Sequence, residues 1–348
     1  MESTTAPIAS APVQGLHSPE SKDGVMRAIV QDAYGSTEVL RLADIARPEI
    51  AANEVLVKVA AAGMDRGTAH LMTGKPYLMR VIGFGFRRPK NRVPGLDVAG
   101  TVIAVGSEVT RFQPGDEVFG MSRGAYAEFA AVLEDKLAHK PASLTFQQAA
   151  VVPISGGTAL QAVRKAGTIK TGDKVLVIGA SGGVGTYAVQ LAKALGAEVT
   201  GVSSTSKLDF VRSIGADYVI DYSREDYLDG ARRFDFILDM GGNNSLSRLR
   251  RALTPTGTLV IVGGEEGGSL TGGFGRSLGS PLVSMFARQR LTMLASKEQF
   301  GDLEALSQFI EDGKVTPVID RTYPLAQTPA AMAHLEAGHV RGKIAIII

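Results

Sequence analysis

The residues with the clearest chemical meaning form a glycine-rich turn that follows a short apolar run. Lys174-Val-Leu-Val-Ile178 is typical of a buried parallel strand, and it continues into Gly179-Ala-Ser-Gly-Gly-Val-Gly185 and a helical segment from Thr186 to Leu195. Backbone N–H groups in such a turn can approach a pyrophosphate at the positive end of the helix dipole. The spacing therefore predicts a dinucleotide site whose cradle comprises Ala180, Ser181, Gly182, Gly183, Val184 and Gly185.

The end of the next strand favours one dinucleotide over another. Glu198-Val-Thr-Gly-Val202 runs into Ser203-Ser-Thr-Ser-Lys207. Enzymes that use NAD usually carry Asp or Glu here, where the carboxylate binds the ribose 2′-OH. Hydroxyls and an ammonium replace that carboxylate, and they suit a 2′-phosphate, with Ser203, Ser204 and Lys207 as its predicted ligands. The sequence predicts NADPH as the cofactor.

Composition limits the classes of protein that the chain can belong to. Its 348 residues suffice for two domains, and 45% of them are apolar. A formal net charge of +2 gives no electrostatic case for nucleic acid or a membrane surface as the main partner. No apolar run approaches the ~18 residues of a membrane span. The absence of cysteine excludes disulfides and thiolate metal sites, and it fits a cytoplasmic location.

The periodicity of the chain predicts two domains, one of them split. Residues 1–24 lack periodicity and are predicted to be a disordered tail. Residues 26–149 are rich in strand patterns, including a segment 124–130 that continues the sheet, and a helix is predicted from Ala149 to Ala166. Strands and helices then alternate through residues 150–314, and strand patterns return in 315–348. The predicted fold is α/β: a β-rich catalytic domain from both ends of the chain, and an inserted doubly wound domain.

Four ordered motifs carry a family resemblance: Pro94-Gly-Leu-Asp-Val-Ala-Gly-Thr-Val102, Phe112-Gln-Pro-Gly-Asp-Glu-Val118, Gly124-Ala-Tyr-Ala-Glu-Phe129 and the glycine turn. Together they resemble the medium-chain dehydrogenase/reductases, in their zinc-independent quinone oxidoreductase and enone reductase branch. The resemblance implies a GroES-like catalytic domain, a Rossmann domain, and a cleft between them that holds the nicotinamide.

The same resemblance implies further cofactor contacts. Thr158 matches a position near the nicotinamide ribose, and Tyr222 matches a tyrosine near the 2′-phosphate in relatives that use NADPH. Two strand ends, Asp239-Met-Gly-Gly242 and Val262-Gly-Gly264, are expected to contact the nicotinamide half. The predicted contacts there are Asp239, Gly241, Val262, Gly263 and Gly264.

The positions that bind zinc in related enzymes are altered. Asp65 replaces a Cys, Leu96-Asp97 replaces His-Glu, and Ile154 lies near the third ligand position. Leucine and isoleucine cannot ligate, whereas a catalytic zinc takes three protein ligands, so no metal is predicted. Without a Lewis acid to polarise an alcohol, the feasible reaction is hydride transfer to an acceptor that is already electrophilic. A quinone or an α,β-unsaturated carbonyl is the predicted substrate.

Three side chains are candidates for catalysis. His70 and Tyr77 are possible proton donors, although a structural histidine and an aromatic pocket wall are the alternatives. Asp65 either forms an ion pair, with Arg66 as the neighbouring cation, or binds a ribose hydroxyl, or donates a proton as a neutral acid. Water or a ribose hydroxyl can also supply the proton, which would leave no essential acid in the protein.

Two further segments bear on substrate choice, on alternative functions and on assembly. The basic and aromatic segments 77–92 and 263–290 are expected to set substrate choice, with nucleic-acid binding as the alternative. A protein that senses NADPH without turnover and an alcohol dehydrogenase are further alternatives. A homodimer is expected from the resemblance and from the apolar run Leu291–Ala295, which could pair as an edge strand with its symmetry mate.

Overall fold

The computed structural model describes residues 24–78, 80–241, 244–263 and 288–348, and for Ile82 the backbone alone. Gly264, most of the segment 263–290 and the predicted tail therefore lie outside the described residues. The strands are β1 (Val25–Val30), β2 (Arg41–Ala46), β3 (Glu54–Met64), β4 (Asp97–Val105), β5 (Glu117–Met121), β6 (Phe129–Leu133), β7 (Leu137–His139), β8 (Lys174–Ile178), β9 (Glu198–Ser203), β10 (Tyr218–Asp221), β11 (Phe234–Asp239), β12 (Leu253–Ile261), β13 (Arg290–Met293), β14 (Ile319–Pro324) and β15 (Lys343–Ile347). The helices are α1 (Arg66–Thr73), α2 (Phe146–Ala150), α3 (Pro153–Ala166), α4 (Gly183–Ala194), α5 (Leu208–Ser213), α6 (Leu246–Arg251), α7 (Phe300–Glu311) and α8 (Thr328–Glu336).

The strands from both ends of the chain share one sheet. Its order is β14-β15-β3-β4-β5-β7, with β6 pairing to β3, while β1 and β2 form a separate antiparallel pair. The long strand β3 is its centre, because it pairs with β15, β4 and β6. Gly63 of β3 lies opposite Asp97, the first residue of β4. This register brings Asp65, just beyond β3, close to Asp97.

The middle of the chain forms a six-stranded parallel sheet in the order β10-β9-β8-β11-β12-β13. The strand order reverses at β8, since β9 lies on one side of it and β11 on the other. In open α/β sheets such a switch point opens a crevice beyond the carboxyl ends of the strands. The predicted fold, a GroES-like domain with a parallel-sheet domain, is confirmed.

Two predicted elements differ from the structure. The predicted helix 149–166 is two helices, because Pro153 cannot donate a backbone hydrogen bond and instead begins α3. The segment 124–130 joins the main sheet only at β6, which begins at Phe129. Before it, the segment pairs with β1: Ala127 forms a bridge with Ala28, Ile29 N donates to Tyr126 O at 2.8 Å, and Glu128 N donates to Arg27 O at 3.0 Å. Glu128 O also accepts from Val59 N of β3 at 3.0 Å, directly before β6 begins.

Helix α3 joins the two parts of the molecule. One continuous buried cluster contains Ala61 and Phe119 of the first sheet together with Val177 of the second, and Leu160 and Val163 of α3 belong to it. Burial of apolar surface is the main favourable term in folding, so this cluster holds both sheets against a shared helix. No helix within the described ranges combines the length and apolar character that crossing a bilayer requires.

Among the described strands, β13 is the last of the parallel sheet. Its outer edge is the place where we expect two copies of the chain to pair. Leu294 N donates to Ile261 O at 2.9 Å, so strand alternation turns the N–H of Met293 away from β12. We expect light scattering at micromolar concentration to give twice the 36.5 kDa of one chain. Met293→Pro should weaken the dimer because it removes an outward donor, whereas Met293→Ala retains it. A monomeric wild-type protein would contradict the prediction.

Candidate active site

A cavity of about 360 Å³ lies where the two sheets face each other. The parallel sheet contributes residues from the carboxyl ends of β8, β11 and β12, and the other domain contributes α1 and the segment before β15. Its lining includes Asp65, Gly67, His70, Ile154, Thr158, Ser181, Gly182, Gly183, Val184, Gly185, Lys207, Gly241, Val262, Gly263, Gly342 and Lys343. Most of the predicted cofactor residues are thus brought together in one cavity.

The glycine turn between β8 and α4 lets the helix begin very close to the end of the strand. Gly179 has φ +81°, a conformation that other residues rarely adopt. A Cβ at Gly185 would lie 2.1 Å from Gly179 O, so only glycine lets α4 begin this near to the strand. From the opposite domain, Gly342 N donates to Ser181 O at 2.9 Å. Gly342 therefore holds the turn from the opposite domain, and the N-terminus of α4 lines the cavity with the geometry that a pyrophosphate site requires.

Strand order divides this cavity into two ends. Lys207, which follows β9, lies on one side of the glycine turn, and Gly241 and Val262, which follow β11 and β12, lie on the other. Thr158 belongs to the second end, and its hydroxyl lies 3.5 Å from Ser296 Oγ beyond β13. A dinucleotide whose pyrophosphate binds the turn would place its two halves on opposite sides of β8. We call these the β9 end and the β11 end.

Residues predicted for a 2′-phosphate are neighbours at the β9 end. Ser203 is buried at the end of β9, and Tyr222 N donates to its carbonyl at 3.3 Å, while the Tyr222 side chain is 58% exposed. Asp221 accepts hydrogen bonds from Ser223 and Thr205, which lower its pKa and hold the two loops together. Of the residues predicted to bind this phosphate, Lys207 is the one that lines the cavity.

The Lys207 ammonium also ties the two domains together. It donates to Gly338 O at 2.8 Å and to Val340 O at 2.9 Å. Beside it, the Arg341 guanidinium donates to Ser206 O at 3.0 Å. The sequence assigned Lys207 to the cofactor alone, since nothing local shows that the chain returns to this strand end 131 residues later.

A buried charge cluster forms the floor of the cavity. Lys343, the first residue of β15, is 1% exposed, and its Nζ lies 3.1 Å from Asp65 Oδ2 and 2.9 Å from Asp97 Oδ2. The ion pair expected for Asp65 therefore has Lys343 as its partner, from the far end of the chain. Sequence reasoning missed Lys343. The available signal was a lysine that opens the otherwise apolar strand Lys343–Ile347.

The N-termini of α1, α3 and α4 all lie beside this cluster. Asp65 caps α1 by accepting from Thr68 N at 3.0 Å, and Asp97 Oδ1 accepts from Ile154 N at 2.8 Å in the first turn of α3. Carboxylates are favoured at both places by the helix dipole. A Cβ at Gly183 would lie 2.9 Å from Lys343 Cδ, so the lysine stem packs against the start of α4. The N-terminus of α4 is left for the ligand.

The two carboxylates share one ammonium, and this arrangement shifts the pKa of Asp97 and of Lys343. Burial raises the pKa of Asp97 to about 6, with the Asp65 charge adding to the rise and Lys343 opposing it. Burial alone would lower the pKa of Lys343, but the two carboxylates outweigh it and raise the pKa above its ordinary value. The lysine therefore stays charged at neutral pH.

The remaining catalytic candidates separate in space. His70 on α1 is half-buried and lines the cavity. Tyr77 is 41% exposed, is not among the described residues that line the cavity, and stacks with the Arg80 guanidinium at 4.7 Å from its ring centre. The same guanidinium also lies 4.2 Å from the ring centre of Tyr34. Tyr77 thus belongs to a surface stack, and His70 is the candidate acid that faces the cavity.

The fold and the cavity define an oxidoreductase that uses a nicotinamide dinucleotide. A model described as "Alcohol dehydrogenase GroES-like domain" matches residues 51–142, and one described as "Zinc-binding dehydrogenase" matches residues 214–346. The mouse "NAD(P)H oxidoreductase RTN4IP1, mitochondrial" is 34% identical over 97% of this chain and 93% of that protein. The chain belongs to the medium-chain dehydrogenase/reductase family.

Two further relatives have names that specify a substrate. The tomato (Solanum lycopersicum) "2-methylene-furan-3-one reductase" is 33% identical over 92% of this chain and 79% of its own length. The solved quinone oxidoreductase from Coxiella burnetii has a TM-score of 0.80 and 30% identity, and the match covers 93% of this chain and 99% of that one. Because the mouse relative is named mitochondrial, the cytoplasmic location of this chain remains a prediction.

The residues at the zinc positions of related enzymes lack the three ligands that a catalytic zinc ion needs. The apolar Leu96 and Ile154 cannot ligate, and both nearby carboxylates already bind the Lys343 ammonium. Within the described ranges, no three side chains among His, Cys, Asp and Glu converge as metal ligands would. The residues present do not fit a zinc ion, whereas the glycine turn fits a dinucleotide.

The raised pKa of Asp97 leads to a prediction about stability. Its folded pKa of about 6 exceeds the ordinary value, so its protonated form favours the folded state. This contribution is complete only below the unfolded pKa of about 4, and it is lost as pH rises through 6. Asp97→Asn removes the titration, so the free energy of unfolding of the variant relative to wild type should rise by roughly 2 kcal/mol between pH 4 and pH 7.

Urea unfolding of both proteins at each pH measures this difference. Asp116→Asn, at an exposed turn before β5, is the matched control and should show no comparable change across this range. A constant difference between wild type and Asp97→Asn from pH 4 to pH 7 would contradict the prediction.

Proposed function

We propose that the protein transfers hydride from NADPH to a quinone or an α,β-unsaturated carbonyl without a metal. The observation that carries this proposal is the β11 end of the cavity. There Lys343 binds both Asp65 and Asp97, and the neighbouring Leu96 and Ile154 are apolar, so the described residues at the zinc positions of related enzymes provide no ligand set for a Lewis acid. Conjugated acceptors need none, because their carbonyl oxygen takes up charge as hydride arrives and hydrogen bonds suffice.

Each part of the cavity has a task in this reaction. NADPH, when bound, supplies the hydride. The N-terminus of α4 binds the pyrophosphate, and the two ends of the cavity align the halves of the dinucleotide. Thr158 and His70 present hydrogen-bonding groups at the β11 end. The Lys343 ammonium offsets negative charge on the Asp65 carboxylate. This reduces the repulsion between that carboxylate and the oxyanion that develops on the acceptor.

The alternative functions differ in turnover and metal content. Wild-type protein should oxidise NADPH with a panel of quinones and enones, followed at 340 nm, and should retain this activity after dialysis against a chelator. Binding of NADPH without turnover on any acceptor would instead support a sensor. Oxidation of simple alcohols that depends on added zinc would support an alcohol dehydrogenase.

We also propose that Lys207, with Ser203, Ser204 and Tyr222, gives preference for NADPH over NADH. Lys207→Ala should weaken NADPH binding by about 1–3 kcal/mol and NADH binding little, as expected for a charge-assisted hydrogen bond to the 2′-phosphate. Titration calorimetry with both cofactors measures the difference.

Because Lys207 also ties the domains, the control must separate the two roles. Arg341→Ala removes the neighbouring bond to Ser206 O and should report the effect of a weakened domain contact. If Lys207→Ala lowers the affinity for NADPH and NADH by the same factor, its role is in the domain contact and the phosphate assignment is wrong.

The source of the proton gives another prediction. Hydride addition produces an oxyanion that water can protonate afterwards, so no protein acid is required during the slow step. His70→Gln and Tyr77→Phe should each keep kcat within a few-fold of wild type, with unchanged cofactor affinity. A general acid in this position would contribute roughly 10²–10⁴-fold, so a loss of that size in either variant would make that residue the acid.

A further inference from the structure

One exposed segment after α1 combines bulky apolar side chains with an excess of positive charge. Residues 75–92 contain six basic residues and no acidic one, whereas the whole chain has 37 basic and 35 acidic residues. The small net charge of the chain therefore hides a local cationic region. Its exposed apolar side chains, at 39–73% exposure, are Tyr77, Leu78, Val81 and Phe86. Exposed apolar side chains that cluster beside polar residues mark an interaction surface.

The inner side of this segment is fastened to the rest of the protein. The Arg80 guanidinium donates to Gly74 O at 2.8 Å and lies against the rings of Tyr34 and Tyr77. Tyr34 Oη donates to Gly85 O at 2.6 Å, and Gly85 has φ +107°, which lets the chain turn sharply there. The exposed side chains therefore project from a backbone that specific contacts hold in place.

Most of the positive charge of the segment is not neutralised within the protein. Four of its cationic side chains are exposed: Lys75, Arg87, Arg88 and Lys90. Within the described part of the chain, none of the four forms a side-chain hydrogen bond or an ion pair. By contrast, Arg92 is paired with Asp32 at 2.6 Å. The partner that completes this surface must therefore supply negative charge and hydrocarbon together.

Three kinds of partner differ in how well they meet this requirement. A second copy of the chain would bring like charges together across a symmetric contact. A nucleic acid supplies phosphates, but its bases stack on aromatic rings and not on aliphatic side chains such as Leu78 and Val81. The surface of an anionic bilayer supplies charged headgroups and, directly beneath them, acyl chains.

We propose that this surface docks the protein on a bilayer that contains anionic phospholipid. The four exposed apolar side chains enter the interface between headgroups and acyl chains, and the four unpaired cations bind lipid headgroups. The attachment is peripheral, and it does not depend on the proposed function. Val81, Phe86, Arg87 and Arg88 do not line the cavity that we assign to the cofactor. Substitutions at these four positions therefore test docking without altering that site.

Flotation with lipid vesicles measures the docking. The full chain is mixed with vesicles of phosphatidylcholine alone, or with vesicles in which about one third of the lipid is phosphatidylserine. Each lysine or arginine close to an anionic surface contributes about a fivefold gain in binding, so Arg87→Gln combined with Arg88→Gln should weaken binding roughly 25-fold. Val81→Ser combined with Phe86→Ser should weaken it at least about tenfold, because two apolar side chains no longer enter the interface.

Two control pairs remove the same kinds of side chain elsewhere on the surface. Lys165 and Lys170 are exposed, and neither side chain forms a hydrogen bond or an ion pair with a described residue. Replacing both with Gln changes the net charge as much as the arginine pair does. Leu133 and Leu195 are 39% and 38% exposed, and replacing both with Ser is the apolar control. The thermal unfolding midpoint of each variant shows that it is folded.

Wild type should float with the anionic vesicles and only weakly with phosphatidylcholine, and salt should reduce its binding. Both control pairs should bind within about twofold of wild type, which is less than the effect of one surface cation. No flotation of wild type, equal binding to both kinds of vesicle, or an equal loss in the control pairs would each refute the proposal. Tight binding to single-stranded RNA without flotation would instead assign the surface to nucleic acid.

Discussion

The ammonium of Lys343, buried between Asp65 and Asp97, is the interaction on which the rest of the site depends. It joins the last strand of the chain to the end of β3 and the start of β4. Removing charged groups from water is costly, and only close pairing and further hydrogen bonds repay it. Both carboxylates obtain those bonds at helix N-termini, through Thr68 N and Ile154 N.

That arrangement fixes the directions of three helices at once. A carboxylate accepts a hydrogen bond at the N-terminus of α1, and another does so at the N-terminus of α3. The dipoles of both helices are therefore satisfied inside the protein. The start of α4 has no side-chain cap from a described residue, and the aliphatic stem of Lys343 packs beside it. The cluster thus satisfies two helix dipoles and leaves the third facing the cavity. It also places paired carboxylates, in place of a metal ligand set, beside that cavity.

The contacts between the domains reinforce this cluster near the β9 end. Gly342 N bonds to Ser181 O in the glycine turn, and one residue later the chain becomes Lys343. Lys207 and Arg341 add bonds across the same junction. A short segment before β15 therefore contacts both the pyrophosphate cradle and the charge cluster. Residues 338–343 thus couple the glycine turn to the buried charge cluster.

Features that depend on local spacing could be predicted from the sequence. The glycine turn, the strands on either side of it and the hydroxyl-rich strand end are each encoded within a few residues, since backbone conformation and periodicity are local properties. The absence of zinc ligands at Leu96 and Ile154 could also be inferred from residue type alone. Pro153 divides the predicted helix 149–166 into α2 and α3. A proline is itself a local signal for the start of a helix.

The pairings between distant segments could not be predicted from the sequence and became visible in the folded chain. Asp65 and Lys343 are 278 residues apart, and Lys207 meets Gly338 across 131 residues. No periodicity marks such partners, because they are set by how two sheets pack on a shared helix rather than by neighbouring residues. The same reason separates His70 from Tyr77: seven residues apart in one segment, they diverge because α1 ends at Thr73 and only its beginning faces the cavity.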